Sequence, residues 1–173
     1  MLTHLECSAE CGAPAYDAGR IQHLCTCGAP LFARYDLDTL TLQWKRDSLA
    51  QRPATLWRYR EVLPVDPDQH PVTLGEGMTP LARAPRLEQA LGMRTIHIKD
   101  ESLNPTNSFK ARGLSVAVTR AKHLGATTLS VPSAGNAANA LAAYAAQAGL
   151  AAKVFMPRDV KKPFVWESEL YGA

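Results

Sequence analysis

Alternating helix and strand patterns in the second half of the chain constrain its fold more than any other feature. Apolar residues recur at helical spacing over residues 111–124, and Thr127–Val131 has the composition of a buried strand. A second helical pattern, Ala137–Ala148, and a second strand pattern, Ala152–Met156, follow. Strands that alternate with helices form parallel sheets. The sequence therefore predicts an α/β fold with a partial doubly wound parallel sheet, whose functional loops meet at the carboxyl ends of the strands.

One lysine lies where a polar turn passes into the first of these helices. The run Thr95–Lys99 is expected to form a short buried strand, and the turn Asn104–Asn107 follows it. Asn107 or Ser108 is expected to cap the helix, which places Lys110 in its first turn. The partial positive charge there lowers the cost of a neutral amine, and neutral amines condense with aldehydes. On position alone, a solvated surface lysine is the commoner interpretation.

The residues around Lys110 resemble a known cofactor motif. Residues 104–113 read Asn-Pro-Thr-Asn-Ser-Phe-Lys-Ala-Arg-Gly. This stretch is similar to the cofactor-lysine motif of the fold-type II pyridoxal-phosphate enzymes, and most closely to that of the threonine synthases, NPTGSFKxRG. Asn107 replaces the usual glycine, and asparagine tolerates positive φ better than other non-glycine residues. Further stretches that resemble this family are Trp57–Arg60, Thr73–Leu81, Ser133–Asn136 and Glu169–Ala173.

The resemblance implies a fold of the tryptophan synthase β-like kind and roles for several residues. It implies that Lys110 holds pyridoxal 5'-phosphate and moves protons in catalysis, and that Asn136 hydrogen-bonds to the ring hydroxyl of the cofactor. Phe109 would line the cofactor, although an aromatic residue at a helix start is more often part of a core. Substrate-binding residues are implied at four positions: Ser133, Ala134, Gly135 and Thr79. From spacing alone, the loop at 133–136 would be an ordinary capped turn.

The four cysteines form two close pairs near the start of the chain. They are Cys7, Cys11, Cys25 and Cys27, with glycines directly after two of them. Four thiolates on tight turns suit tetrahedral zinc. The spacing departs from paired Cys-x-x-Cys, which leaves open whether His4 or His23 replaces one cysteine, and unmetallated thiols are an equal alternative. Disulfides are disfavoured because the sequence has no secretory signal.

Composition and charge exclude several functional classes. The 173 residues are 46% hydrophobic and 20% charged, as expected for a globular chain. The net charge of +3 comes from 19 basic and 16 acidic residues that are mixed along the sequence, so we expect no nucleic-acid binding. The sequence contains neither a secretory signal nor a long apolar run, and a cytoplasmic protein without membrane contacts is expected. Whether the chain forms a homo-oligomer stays open.

The sequence predicts three regions and, through the resemblance, one activity. Residues 1–36 form a cysteine-containing, zinc-ribbon-like hairpin, residues 37–72 an entry segment, and residues 73–173 an incomplete pyridoxal-phosphate-binding α/β domain. The resemblance implies a lyase of threonine biosynthesis that converts O-phosphohomoserine and water to threonine and phosphate. Cysteate synthase and threonine dehydratase share the lysine and asparagine motifs, so both remain alternatives. A non-catalytic zinc-hairpin binding module is an alternative from a different class.

Part of the expected active site is missing from the sequence. Pyridoxal phosphate needs an anion site for its phosphate, usually a glycine-rich loop that leads into a helix, and no such loop follows Asn136. Pro163–Leu170 is expected to form a helix, and Tyr171–Ala173 to cap it before a further strand. We therefore expect this chain to be an N-terminal portion that is inactive alone, with an unpaired sheet edge that favours aggregation.

Overall fold

The computed structural model describes residues 1–173, which form three small sheets and six α-helices. The strands are β1 (Leu2–Cys7), β2 (Tyr16–Asp17), β3 (Leu31–Tyr35), β4 (Leu81–Arg83), β5 (His97–Lys99), β6 (Thr128–Pro132) and β7 (Ala151–Phe155). The α-helices are α1 (Leu37–Gln43), α2 (Arg46–Ala50), α3 (Pro85–Leu91), α4 (Lys110–His123), α5 (Asn136–Ala148) and α6 (Lys162–Leu170). Short 3₁₀ helices span Leu56–Val62, Glu101–Leu103 and Pro105–Asn107. No helix has the length and apolar character needed to cross a membrane.

The first sheet is a small antiparallel unit in the order β2-β1-β3. β1 pairs with β3 from Leu2 opposite Tyr35 to Cys7 opposite Leu31, with a register shift near Leu2. Asp36 ends this unit, because its carboxylate accepts the Thr39 N–H at 3.0 Å and starts α1. Cys7 is the last residue of β1, and the other three cysteines lie in the connections between the strands of this sheet.

A buried carboxylate organises the segment between this sheet and the α/β region. Glu76 has no solvent-exposed surface. Its oxygens accept hydrogen bonds from the Tyr144 hydroxyl at 2.6 Å, from the Thr73 hydroxyl at 3.1 Å and from the Trp57 indole N–H. The next residue, Gly77, has φ of 102°, and a Cβ there would lie 2.5 Å from the Leu56 nitrogen. Only glycine fits this crossing of the two segments.

The α/β region confirms the predicted parallel pairing. β6 and β7 are parallel, from Thr128 opposite Ala151 to Pro132 opposite Phe155, and α4 and α5 pack against each other. Each of these elements begins and ends within one residue of its predicted position. The core consists of Val72, Ala111, Val118, Leu141, Tyr144 and Ala148. The many alanines of α5 allow close approach of its neighbours, and the predicted C-terminal helix is also present, as α6.

The strand before the Lys110 turn differs from its prediction. The run Thr95–Lys99 was expected to be buried in the parallel sheet, but only His97–Lys99 is extended and all three residues are exposed. β5 pairs antiparallel with β4, from Leu81 opposite Lys99 to Arg83 opposite His97, in a sheet of its own. The prediction was wrong because the partner of a strand depends on a contact distant in sequence, which β-branched composition does not encode. The two functional loops therefore do not share one sheet edge in this chain.

Candidate active site

The turn that leads to Lys110 has an uncommon backbone conformation. Thr106 and Asn107 are both left-handed, with φ of 58° and 52°. An asparagine at the second position is compatible with this conformation, so the turn forms without the glycine found in the related motif. Thr106 is the more strained residue, because a β-branched side chain strongly disfavours positive φ. The strained residues therefore belong to the turn that leads to the lysine.

The start of α4 differs from the expectation that Asn107 or Ser108 caps it. Phe109 occupies the N-cap position, and no side chain caps the helix. Ser108 is extended, and its buried hydroxyl has no hydrogen-bond partner. The cap prediction was wrong because Ser108 is extended and Phe109 separates it from the first helical residue, so neither the Asn107 nor the Ser108 side chain hydrogen-bonds to the free N–H groups of α4. Lys110 is consequently the first residue of α4.

Lys110 presents its amine beside an exposed aromatic ring. The Nζ atom lies 4.7 Å from the centroid of the Phe109 ring. Phe109 is 57% exposed, which excludes the alternative that it belongs to the core of this chain. None of the ion pairs of the structure involves Lys110. The lysine is half-buried at a helix start with no carboxylate to compensate its charge.

A polar cluster lies on the other side of the same turn. Arg112 Nε and Nη2 lie 2.6 and 2.8 Å from the two carboxylate oxygens of Glu101. The Thr79 hydroxyl donates to Glu101 Oε1 at 2.5 Å, and Asn104 Nδ2 donates to Glu101 Oε2 at 2.9 Å. These contacts, above all those with the Arg112 guanidinium, lower the pKa of Glu101 to about 2. Glu101 is therefore an anion throughout the physiological range.

Thr79, which the resemblance implies as a substrate-binding residue, is a member of this cluster. The side chain is buried, with 7% of the residue exposed, and its hydroxyl proton is directed at Glu101. Glu101 did not stand out in the sequence, although it precedes the motif and its charge is opposite to that of Arg112 within the motif. These opposite charges are the sequence signal from which the ion pair could have been predicted.

The second loop follows β6 and leads into α5. The Ser133 N–H donates to the Phe155 carbonyl at 3.0 Å, and the Gly135 N–H lies 3.4 Å from the Ser133 hydroxyl. Asn136 is exposed and is the first residue of α5. The N–H groups of Asn136 and Ala137 have no partner within the chain, as is usual at a helix start. Ala134 is exposed between the loop's two hydrogen-bonded residues.

Helix packing relates this loop to the lysine. α5 packs against α4 and also against the 3₁₀ turn Pro105–Asn107 that precedes Lys110. The chain thus provides an uncompensated amine, an exposed aromatic ring and an exposed amide with free backbone N–H groups. This donor set fits an aromatic aldehyde with anionic substituents, as pyridoxal phosphate is.

The cysteines converge as the sequence predicts. The four Sγ atoms lie within 4.8 Å of one another, and no disulfide links them. Cys7 Sγ is 3.6 Å from Cys27 Sγ, and Cys11 Sγ is 3.5 Å from Cys25 Sγ. Tetrahedral zinc with Zn–S bonds of about 2.3 Å requires sulfur separations of about 3.8 Å, so the cluster has suitable dimensions.

A tyrosine supports one of these thiols. The Tyr16 hydroxyl donates to Cys25 Sγ at 3.2 Å and accepts the Thr26 N–H at 3.0 Å. The hydrogen bond from Tyr16 is the largest cause that lowers the pKa of Cys25, to about 5. Neither His4 nor His23 belongs to the group of converging ligand atoms.

Comparisons with known proteins extend this description. Residues 72–173, more than half of the chain, match the family described as pyridoxal-phosphate dependent enzyme. Threonine synthase of Methanocaldococcus jannaschii is 40% identical over 165 residues, which cover 95% of this chain and 40% of that protein. Threonine synthase of Mycobacterium leprae is 49% identical over 106 residues, which cover 61% of this chain and 29% of that protein.

A solved structure agrees with these relatives. The crystal structure of a pyridoxal 5'-phosphate-dependent aspartate racemase is similar with a TM-score of 0.50 and 29% identity, over 55% of this chain and 31% of that chain. This chain spans about two-fifths of the length of the first curated relatives that it matches. The resemblance seen in the motifs is thereby confirmed. The chain belongs to the pyridoxal-phosphate-dependent enzyme family.

Proposed function

We propose that this chain provides the lysine-bearing part of a threonine synthase-like lyase, which converts O-phosphohomoserine and water to threonine and phosphate. The observation that carries the proposal is the uncompensated Lys110 amine beside the exposed Phe109 ring, within a threonine synthase-like motif. Similarity to threonine synthases along 95% of this chain supports the same reaction. Pyridoxal phosphate, when bound, supplies an electron sink that stabilises carbanions of amino-acid substrates.

The residues of the chain have distinct roles in this proposal. Lys110 Nζ holds the cofactor and, once exchanged for the substrate amine, transfers protons. Asn136 donates its amide to the ring hydroxyl of the cofactor, and Phe109 lines one side of the ring. The loop of Ser133, Ala134 and Gly135 binds the substrate carboxylate with the help of the free N–H groups that follow it at the start of α5. An exposed loop of this kind admits a small amino acid without rearrangement of the core.

A spectroscopic experiment tests this proposal directly. Because free pyridoxal phosphate is itself yellow, the spectrum is read as the difference from the free cofactor. The chain with excess cofactor should show an added absorption that O-phosphohomoserine alters and that an unphosphorylated, non-amino-acid analogue does not. Lys110→Ala should abolish the absorption. Lys122→Ala is a matched control, because Lys122 lies on the same helix but donates to the Ala148 carbonyl at 2.9 Å. An equal absorption in Lys110→Ala would contradict the proposal.

We further propose that the chain alone binds the cofactor weakly and releases no phosphate from O-phosphohomoserine. No glycine-rich loop follows Asn136 in the sequence, so no strong anion site for the cofactor phosphate is available from that region. Phosphate release can be followed by a colorimetric assay under excess cofactor. Stoichiometric cofactor together with turnover would contradict this expectation.

We propose a second, independent function for the first sheet, which is to bind zinc through Cys7, Cys11, Cys25 and Cys27. The proposal rests on the convergence of four sulfur atoms at distances close to those of a tetrahedral site. Metal analysis after purification should give about one zinc per chain, and Cys25→Ser should remove most of it. Ser8→Ala, which changes a neighbouring residue outside the cluster, should retain the metal. A folded, metal-free protein with four titratable thiols would contradict the proposal.

A further inference from the structure

The turn before Lys110 has a strained backbone that its own helix does not stabilise. Thr106 and Asn107 are consecutive non-glycine residues with positive φ. Backbone conformations of this kind persist only where the surrounding structure holds them in place, and they concentrate at functional sites. The turn is not held by a helix cap, since α4 has no side-chain cap. Its restraint must therefore come from elsewhere.

One ion pair links the residues on either side of the turn. Glu101 precedes the turn and Arg112 follows it, and the guanidinium forks onto both carboxylate oxygens at 2.6 and 2.8 Å. Their side chains are 26% and 29% exposed, so solvent screens the pair only in part. A two-point contact of this geometry fixes orientation as well as distance. The segment that carries Lys110 thus has its two ends joined by a salt bridge.

Two neutral side chains connect this ion pair to the preceding turn of the chain. Asn104 donates to Glu101 Oε2 at 2.9 Å, and its Oδ1 accepts the Gly77 N–H at 3.0 Å. The Thr79 hydroxyl donates to Glu101 Oε1 at 2.5 Å and lies 3.3 Å from Arg112 Nη2. Because the single hydroxyl proton of Thr79 is used in this way, the side chain has no donor left for a substrate.

We propose that Glu101, Arg112, Asn104 and Thr79 form a clamp that holds the strained turn and thereby positions Lys110. Thr79 is then a positioning residue that acts through Glu101, and not a substrate contact. The consequence for catalysis rests on the proposed function of Lys110. The clamp itself is a property of the chain without cofactor, and it can be measured without activity.

Hydrogen exchange of the cofactor-free chain tests the clamp. The amides of Asn107, Ala111 and Arg112 are hydrogen-bonded within the turn and the start of α4. Glu101→Gln should accelerate exchange in the segment 106–112 by about tenfold or more, because it removes a charge-assisted contact. Exchange in α5 should not change. Glu61→Gln is the matched control, since Glu61 forms a similar two-point pair with Arg52 at 2.6 and 2.7 Å.

A pair of variants tests the role of Thr79. Thr79→Ser keeps the hydroxyl and should leave exchange in 106–112 close to that of the parent chain. Thr79→Val keeps the shape, removes the hydroxyl and should accelerate exchange there. The rate of Lys110 acylation, read by peptide mass analysis, should change in Thr79→Val and Glu101→Gln and should stay at the parent's value in Thr79→Ser. Should Glu101→Gln fail to fold, the threonine pair carries the test.

The outcomes separate the clamp from the proposed function. Unchanged exchange and acylation in both Glu101→Gln and Thr79→Val would overturn the clamp, as would an equal acceleration in α5 or in Glu61→Gln. A cofactor found on a lysine other than Lys110 would instead contradict the proposed function, while the exchange results would stand.

Discussion

At the scale of single residues, the turn before Lys110 contains one backbone conformation that the sequence predicted and one that it did not. The left-handed φ of 52° agrees with the sequence-based argument that asparagine can replace the motif's glycine. The neighbouring Thr106, at φ of 58°, was not predicted, because threonine is among the residues least suited to this region. Local propensity therefore accounts for one residue of the turn, and a contact between distant residues must account for the other.

This interpretation predicts the effect of substitutions at Asn107. Asn107→Gly should change the free energy of unfolding by less than about 1 kcal/mol, because glycine adopts the conformation freely. Asn107→Val should destabilise the chain by about 1–2 kcal/mol, the usual cost of a left-handed L-residue. Urea unfolding of the two variants and the parent measures this difference. Equal stability of the glycine and valine variants would contradict a left-handed Asn107.

The Glu101 carboxylate gives a prediction for pH. Its pKa is lowered to about 2 in the folded chain, chiefly by Arg112, against about 4.3 in unfolded peptides. A lowered folded-state pKa contributes stability that is complete above the unfolded value and is lost as pH falls through the folded value. The difference in unfolding free energy between the parent and Glu101→Gln should therefore shrink between about pH 4.3 and pH 2.

Urea unfolding at several pH values measures this difference. Glu61→Gln provides the control, because the contact with Arg52 also lowers the pKa of Glu61 but lies outside the Lys110 turn. A difference between the parent and Glu101→Gln that stays constant over the acid range would mean that the carboxylate is not held by Arg112.

At the scale of elements, the sequence predicted the helices and strands that are defined by their own periodicity. The apolar patterns of α4, β6, α5 and β7 are separated from one another by Gly125, Gly135 and Gly149, and all four elements are present close to the predicted positions. A strand was also predicted at β5, but its antiparallel pairing with β4, across the intervening helix α3, was not. The candidate site was predicted for Lys110, Phe109 and the 133–136 loop, whereas the contacts of Glu101 come from tertiary structure.

Tyr144 anchors α5 to the turn that contains Glu76. Its hydroxyl donates to the carboxylate at 2.6 Å, and burial together with the neighbouring Glu76 raises the pKa of Tyr144 far above its usual range. Tyr144→Phe should lower the free energy of unfolding by about 1.5–3 kcal/mol, because it leaves a buried carboxylate short of a donor. Thermal or urea unfolding checks this value. Tyr171→Phe, at an exposed tyrosine, should change stability by less than about 0.5 kcal/mol.

At the scale of the whole molecule, the chain joins a cysteine-rich sheet to an α/β region through a small number of side-chain contacts. Arg120 of α4 donates to the carbonyl of Ala18, which directly follows β2 of the first sheet. Sequence motifs predicted both parts, because the cysteine spacing and the lysine motif are each compact in sequence. Their relation could not be predicted, since no motif marks Arg120 or its contact with residue 18.

The most direct test of the account is the site at which pyridoxal phosphate attaches. Borohydride reduction of the chain with excess cofactor, followed by proteolysis and peptide mass analysis, identifies the modified lysine. The account predicts a reduced pyridoxyl group on Lys110, with Lys122 on the same helix unmodified because the Ala148 carbonyl engages its amine. A pyridoxyl group on a different lysine, with Lys110 left free, would contradict the account.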